Sequence, residues 1–365
     1  MGKALIIGAG AIGRGFLPWI IKDFQITFFD TSTEISTKLL KAKHYTSFMS
    51  INGKLKSLKV DCSNTFYDIS KIALEDFDLA FICVGPRNVD NVPNILSNLN
   101  CPIFSLENDP ISVIQLKENL NKDDIYFGVP DVITSSTASK ENLSKDELAI
   151  HTENGILYLE DSNRISQRLK ETLSDIKWLK RAQLNVEWDA KLYLHNTPHC
   201  IAAFLGNLHG VHYVHEALSI DIIKDIVEGV VAELLHALKL STDYNHVFME
   251  SYAEKEVKRF SNNLLFDPIN RVAREPIRKL LPSGRLLGAL RMTLLQGVIP
   301  NNLLRGIVSA LHYRDHNDND YKILKLIKYM GVPAFLYHYC GLDPNSIEAN
   351  IIDSNYNDIS KEIIP

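Results

Sequence analysis

The sequence predicts an α/β chain: an N-terminal Rossmann-type doubly wound sheet domain followed by a mainly α-helical C-terminal domain. Three observations predict it. Short apolar runs alternate with helical patterns through the first half, a glycine-rich turn directly follows the first run, and the second half is dominated by long amphipathic stretches. With 365 residues the chain is long for one core and comfortable for two. The charged stretch Asp161 to Lys180 leads into the helical half, and the division is expected between residues 184 and 185.

In chain order, Lys3–Ile7, Ile26–Asp30, Leu79–Val84 and Ile103–Leu106 read as buried strands of a parallel sheet, because they are continuously apolar. Helical spacing covers Ile12–Ile21, Thr33–Lys43 and Val89–Leu99 between them. Asn52-Gly53, set between the alternating segments of Tyr45–Val60, signals a hairpin. Ile125–Val129, Glu147–Thr152 and Ile156–Glu160 are strand-like and extend this region to about residue 160. Asp221–Leu240 is the clearest helix. Its apolar stripe (Ile222, Ile223, Ile226, Val227, Val230, Val231, Leu234, Leu235, Leu238) is core rather than chemistry. Further helices are expected over Tyr244–Ser261, Gly284–Leu295, Asn302–Tyr313 and Asp320–Tyr329.

Composition narrows the function. A formal charge of −5 gives no electrostatic case for nucleic acid. No apolar run approaches the roughly 20 residues needed to span a bilayer, and Met1 leads straight into Ala4–Ile7 without a signal-peptide pattern. Five scattered cysteines without a Cys-x-x-Cys pair suit neither a disulfide framework nor a structural zinc site. The chain reads as cytoplasmic, with no membrane or nucleic-acid partner, acting as a monomer or small homo-oligomer.

Gly8-Ala9-Gly10-Ala11-Ile12-Gly13 follows a strand and opens a helix, the context a dinucleotide fingerprint requires. Gly8 permits the tight turn, Gly10 lets backbone approach a pyrophosphate, and Gly13 allows close helix–strand packing. The phosphates would rest on the free N–H groups of the helix start. Asp30, at the end of the second strand, can accept hydrogen bonds from ribose hydroxyls and would repel a 2′-phosphate, which favours NAD over NADP. Val84 and Gly85 end one strand and Glu107-Asn108 the next, where ligands sit in open α/β sheets. Asn108 can point an amide at the reacting centre or cap the helical turn that follows.

A second constellation lies in Lys191-Leu-Tyr-Leu-His-Asn-Thr-Pro-His199. On a regular helix Lys191, Asn196 and His199 fall within an arc of ~140°. Lysine can take a hydroxyl proton, Asn can hold a developing alkoxide and His can orient substrate. Taken alone, the same three residues also describe a solvated helix face.

Together these motifs resemble the polyol-specific long-chain dehydrogenases, the mannitol dehydrogenase family. The likeness is carried by Gly8–Phe16, Glu107-Asn108, Lys191–His199 with Ala202–Gly206, Arg271–Leu280 and, more weakly, Ala310–Arg314. It implies that Lys191 is the general base, that Asn108 and Asn196 form the alkoxide-stabilising pair, and that His199 binds and orients substrate. A base role asks for a lysine whose pKa is depressed, the direction produced by burial beside a charged nicotinamide. The resemblance further implies metal-independent, NAD-dependent interconversion of a sugar alcohol and a ketose, with D-mannitol 1-phosphate and D-fructose 6-phosphate the expected pair. A free polyol or hexuronate is the alternative substrate, and an NAD-binding sensor without turnover the alternative class. Arg271, Arg274, Arg278, Lys279 and Arg285 can clamp a sugar phosphate or form a solvated face paired with Glu254, Glu256 and Glu275. Asp131 and His312 are further candidates for the substrate pocket.

The chain departs from the family pattern at four places. Pro198 replaces a usual Gly and predicts a local kink. His195 stands at a usually apolar position, either touching substrate or as a satisfied core histidine. Asp131 is followed by Val132 rather than Arg, and Ser283-Gly284-Arg285 lacks its preceding acid. Three other clusters are set aside. His209, His212 and His215 lack a completing ligand, His195-Asn196 lacks the Glu of a metalloprotease helix, and Asp315–Asp320 lacks the grammar of a calcium loop.

Overall fold

The computed structural model describes every residue except Met1, Leu74, Glu75, Asn108, Asp109, Thr242 and Asp243. The chain divides into two units. Met1–Trp188 with Leu264–Phe266 form the first, and Asp189–Asn263 with Asp267–Pro365 the second.

In the first unit, β1 (Gly2–Ile7), β2 (Phe24–Phe29), β5 (Thr65–Phe66), β6 (Leu79–Ile82), β7 (Ile103–Ser105), β8 (Ile125–Asp131), β10 (Ile156–Glu160) and β11 (Lys177–Leu179) make one sheet. Its order is β11-β10-β8-β7-β6-β1-β2-β5, parallel throughout except for the antiparallel pair β8 and β10. Leu5, Ile6 and Ile7 in β1 and all of β6 are wholly buried. That explains why these strands read as unbroken apolar runs rather than alternating ones. From β1 the chain first builds outward through β2, then crosses back to β6 on the other side. The C-terminal ends of β1 and β6 therefore flank the switch point at which such sheets bind ligands.

The hairpin is β3 (His44–Ile51) with β4 (Lys54–Asp61), and Asn52 (φ 50°) and Gly53 (φ 73°) both take the left-handed conformation a type I′ turn needs. It lies outside the main sheet. With β9 (Ile150–Glu153), parallel to β3, it forms a separate three-stranded sheet. The strand expected from Glu147 starts only at Ile150, because Asp146 accepts the Leu148 and Ala149 amides in a turn. His151 in β9 and Ser135 hold the returning segment, bonding the carbonyls of Leu264 and Phe266.

Two expected helices are interrupted. Val89–Leu99 is a 3-10 turn (Pro86–Asn91) followed by the short helix Pro93–Leu96, since Pro93 has no amide hydrogen with which to continue a ladder. Asp320–Tyr329 is two short helices, Asn319–Leu324 and Ile327–Met330. Gly284–Leu295 begins only at Leu287.

The second unit is built around the helix Thr197–Leu208, buried continuously from Thr197 to Gly206. Helices Val214–Ala217, Asp221–Leu240 and Asn301–Leu311 pack against it. Along Asp221–Leu240 the buried stripe is Ile223, Ile226, Val227, Val230, Val231, Leu234, Ala237 and Leu238. Its large members each contribute about 1.5–3 kcal/mol relative to exposure. Ile222, expected in that stripe, is 42% exposed, because one helical step of about 100° carries it off the buried face. Helices Val332–Cys340 and Ile347–Ile363 complete the unit. Among the described residues no helix is long and apolar enough to cross a membrane.

Two segments leave α geometry in the same way. Ala11–Phe16 and Lys191–Asn196 are π-helical, with the amides of Leu17 and Thr197 bonding back five residues to Ile12 and Leu192. Each stands two residues ahead of a proline, Pro18 and Pro198. In an α-helix the proline ring clashes with the carbonyl four residues back, and a widened turn there relieves the clash. The kink expected at Pro198 takes this form.

Candidate active site

In the first unit the fingerprint adopts the geometry its glycines allow. Gly8 has φ 104°, and a Cβ on it would lie 2.4 Å from the Cys83 carbonyl oxygen. A Cβ on Gly13 would lie 2.1 Å from the Gly8 oxygen. Gly10 has open space where its Cβ would be, the room a pyrophosphate needs for close approach to backbone. Ala11 and Ile12 begin the π turn that follows.

Asp30 ties the loop down. Its Oδ2 accepts from the Ala9 amide at 2.8 Å and its Oδ1 from the Ser32 amide at 2.9 Å. Each oxygen keeps further acceptor capacity for a ribose hydroxyl. Beyond β6, Gly85 (φ 87°) donates its amide to Glu107 Oε1 at 2.8 Å, and the Asn88 amide group bonds the Val84 carbonyl at 2.9 Å. Gly8, Asp30, Val84, Gly85 and Glu107 thus follow the C-terminal ends of adjacent parallel strands. These residues fit a dinucleotide. Asp131 is the buried last residue of β8. Asn108 lies outside the described residues.

Arg14, quoted in the sequence only as part of the motif, is a structural tie. It is buried, with Nε donating to the Ala9 carbonyl at 2.7 Å and Nη1 to the Leu148 carbonyl at 3.1 Å. Burial pulls its pKa below the ordinary guanidinium range, and Tyr45, beneath the guanidinium, donates its hydroxyl to the Arg14 carbonyl. A charged residue directly after the third glycine was the available signal.

In the second unit, Lys191, His195, Asn196 and His199 are all buried on the π turn and the helix it opens. The π turn absorbs one extra residue, so the arc holding Lys191, Asn196 and His199 narrows from ~140° to roughly 60°. The Nδ2 of Asn196 is buried and has no hydrogen-bond partner among the described residues. Such a donor costs about 1–3 kcal/mol unless something accepts from it. An oxygen that develops negative charge is the acceptor best suited to it.

Both histidines are held by carboxylates. His195 Nδ1 is 2.5 Å from Oε2 of the wholly buried Glu256, which also binds Arg259. His199 Nε2 is 3.3 Å from Asp267 Oδ2, close enough for charge attraction but without the alignment of a hydrogen bond. Arg271 grips Asp267 Oδ1 through Nε and Nη2. Burial alone would raise the Asp267 carboxyl, but Arg271 and His199 together hold it below its ordinary 3.8. Phe260 stacks on the His199 ring (5.8 Å, 6°) and lies against His195.

The five-cation segment does not act as one group. Arg271 is engaged by Asp267, and Arg278 donates to Glu275 at 2.8 Å. Lys279 is buried, bonded to the Arg274 carbonyl and set over Phe204. Burial first, then Arg285 and Arg278, hold the Lys279 ammonium well below its ordinary range. Arg274 is exposed. Of the three acids expected opposite the cluster, Glu275 takes that role. Glu256 instead serves His195 and Arg259, because its wholly buried carboxylate requires the nearest donors. His312 bonds Ser360 at 2.7 Å and stacks on Tyr356, both in the C-terminal helix. Among the described residues no three His, Cys, Asp or Glu side chains group as a metal would require.

Residues 188–328 match the model of the mannitol dehydrogenase C-terminal domain. Along nearly its whole length the chain is also similar to proteins named mannitol-1-phosphate 5-dehydrogenase. One, from Caldanaerobacter subterraneus, is 27% identical over 99% of this chain and 100% of the relative. The chain is thus similar to the mannitol dehydrogenases, in its C-terminal domain and along its length. A second relative of that name, from Exiguobacterium, is 26% identical over 99% of this chain and 98% of its own. The fold agrees with that of Pseudomonas fluorescens mannitol 2-dehydrogenase, solved as a ternary complex with NAD and D-mannitol. The TM-score is 0.79 over 100% of this chain and 92% of that one, at 13% identity. The stretch matched by that domain model, 188–328, includes the Lys191 turn, His199 and the cation segment.

Proposed function

We propose that this chain is an NAD-dependent dehydrogenase interconverting D-mannitol 1-phosphate and D-fructose 6-phosphate. The observation that carries the chemistry is the buried, unaccepted amide nitrogen of Asn196 on the same turn as the buried Lys191. The substrate follows from the full-length similarity to relatives named for it. Bound NAD supplies an acceptor for hydride.

In the oxidising direction Lys191 accepts the proton of the substrate hydroxyl, while Asn196 donates to the oxygen as it gains negative charge. His199, fixed by Asp267 and Phe260, orients the substrate. In the reducing direction Lys191 returns the proton. Asn108 is assigned as the second donor from the sequence alone. Arg274 and Arg278 are proposed to hold the phosphate through charge-assisted contacts, with Arg271 and Lys279 supporting that segment from Asp267 and from the Arg274 carbonyl. Asp131 and His312 are proposed to line the substrate pocket. The five cysteines are all free thiols, as suits a reducing cytoplasm.

Purified protein should oxidise NADH with fructose 6-phosphate, and activity should survive a chelator. Lys191→Ala should lower kcat by about 10²–10⁴ with NADH affinity unchanged. Turnover of a free ketose or hexuronate with none of fructose 6-phosphate would overturn the substrate. Equal, small effects of Lys191→Ala on turnover and NADH affinity would overturn the base.

A further inference from the structure

The stretch Asp315–Asp320 reads in the sequence as an acidic loop without chemistry. In the structure two of its carboxylates hold the backbone of the cation segment. Asp318 Oδ2 accepts the Glu275 amide at 2.8 Å, and Asp320 Oδ2 accepts the Ile277 amide at 3.1 Å. Asp318 Oδ1 accepts the Asp320 amide at 3.0 Å, which sets one carboxylate relative to the other.

Between Arg274 and Arg278 the chain does something that needs such support. Pro276 disfavours the right-handed helical conformation at Glu275, and extended backbone is the ordinary outcome. Glu275 instead takes the left-handed conformation (φ 57°, ψ 55°), which residues with a β-carbon avoid. The reversal ends the helix Ile269–Ala273 and starts Pro276–Lys279 at once, so Arg274 and Arg278 leave the same tight turn. The Glu275 carboxylate then binds Arg278, and the Arg274 carbonyl binds Lys279.

We infer that Asp318 and Asp320 are positioning residues. They hold Glu275 in its left-handed conformation and thereby aim Arg274 and Arg278 at the substrate's phosphate. This rests on the assignment of that phosphate to the two arginines.

In the full chain, Asp318→Ala should raise the KM for fructose 6-phosphate about tenfold, the effect of losing one hydrogen bond to a charged group. The kcat and the KM for NADH should stay within about twofold. Asp318→Asn keeps one accepting oxygen and should fall between the two. Glycine adopts positive φ without support, so in a Glu275→Gly background Asp318→Ala should raise the KM no further.

Three results would overturn the inference while leaving the phosphate assignment intact, provided Arg274→Ala or Arg278→Ala raises the KM. They are an unchanged KM in Asp318→Ala, a fall in kcat and melting temperature without a change in KM, and additive effects of Asp318→Ala and Glu275→Gly. If neither arginine variant raises the KM, the phosphate assignment itself fails and the inference falls with it.

Discussion

Asn196→Ala is expected to separate catalysis from stability. The residue is 6% exposed and its Nδ2 has no acceptor among the described residues. Leaving a buried donor unsatisfied costs about 1–3 kcal/mol. Truncation to alanine removes that cost and forfeits the packing of a short side chain, a loss of similar size. The net change in stability should lie within about 1 kcal/mol, a shift of about 2–4 °C in melting temperature. The effect on rate is of another order. Removing one preorganised donor from a developing oxyanion lowers kcat by about 10²–10³. Asn196→Asp should be slower still, since it replaces the donor with a charge of the wrong sign. Initial rates at saturating NADH and fructose 6-phosphate, set beside a thermal melt of each variant, measure both quantities. A kcat within threefold of the parent would refute the reasoning. So would a rate loss accompanied by a drop of about 10 °C or more, because the amide would then be part of the packing.

Three more outcomes are expected. Gly8→Ala places a Cβ 2.4 Å from the Cys83 carbonyl at φ 104°, so NADH affinity should fall at least about tenfold; an unchanged fluorescence titration would contradict it. Arg14→Met removes two hydrogen bonds from a charged group to carbonyls, each worth about 1.5–3 kcal/mol, and should lower both melting temperature and NADH affinity. A variant that melts with the parent would show the tie to be dispensable. For Asp267 the folded carboxyl titrates below 3.8, so its contribution to stability is complete above that value and is lost as pH falls through the folded pKa. Urea midpoints of the parent and Asp267→Asn should therefore differ by a constant amount from neutral pH to about pH 5 and converge below about pH 4. A gap that widens on acidification would reverse the sign.

Most of the fold was legible because its strongest signals are local. Buried parallel strands carry unbroken apolar runs, the hairpin carries Asn52-Gly53, and Asp221–Leu240 carries a full helical stripe. The separation of β3, β4 and β9 into a second sheet was not legible, since nothing in a strand's own residues names its neighbour. The short elements Thr65–Phe66 and Lys177–Leu179 are too brief to leave a period. At the site, the residue types on Lys191–His199 were readable, and Pro198 announced a distortion. Its form was not, because a regular helical wheel has no place for the extra residue of a π turn. The partners of the buried histidines, Glu256 and Asp267, stand more than sixty residues away in the chain, and only folding pairs them.

Asp30 has one more consequence, for anyone wishing to redesign the cofactor preference of such an enzyme. The usual strategy exchanges the acid at the end of the second strand for a neutral or basic residue, so that a 2′-phosphate is no longer repelled. Here the same carboxylate anchors the amides of Ala9 and Ser32. A substitution that opened the pocket to NADP would also release the glycine turn from its anchor. Re-engineering would have to rebuild the loop's attachment elsewhere before the change of charge could be of use.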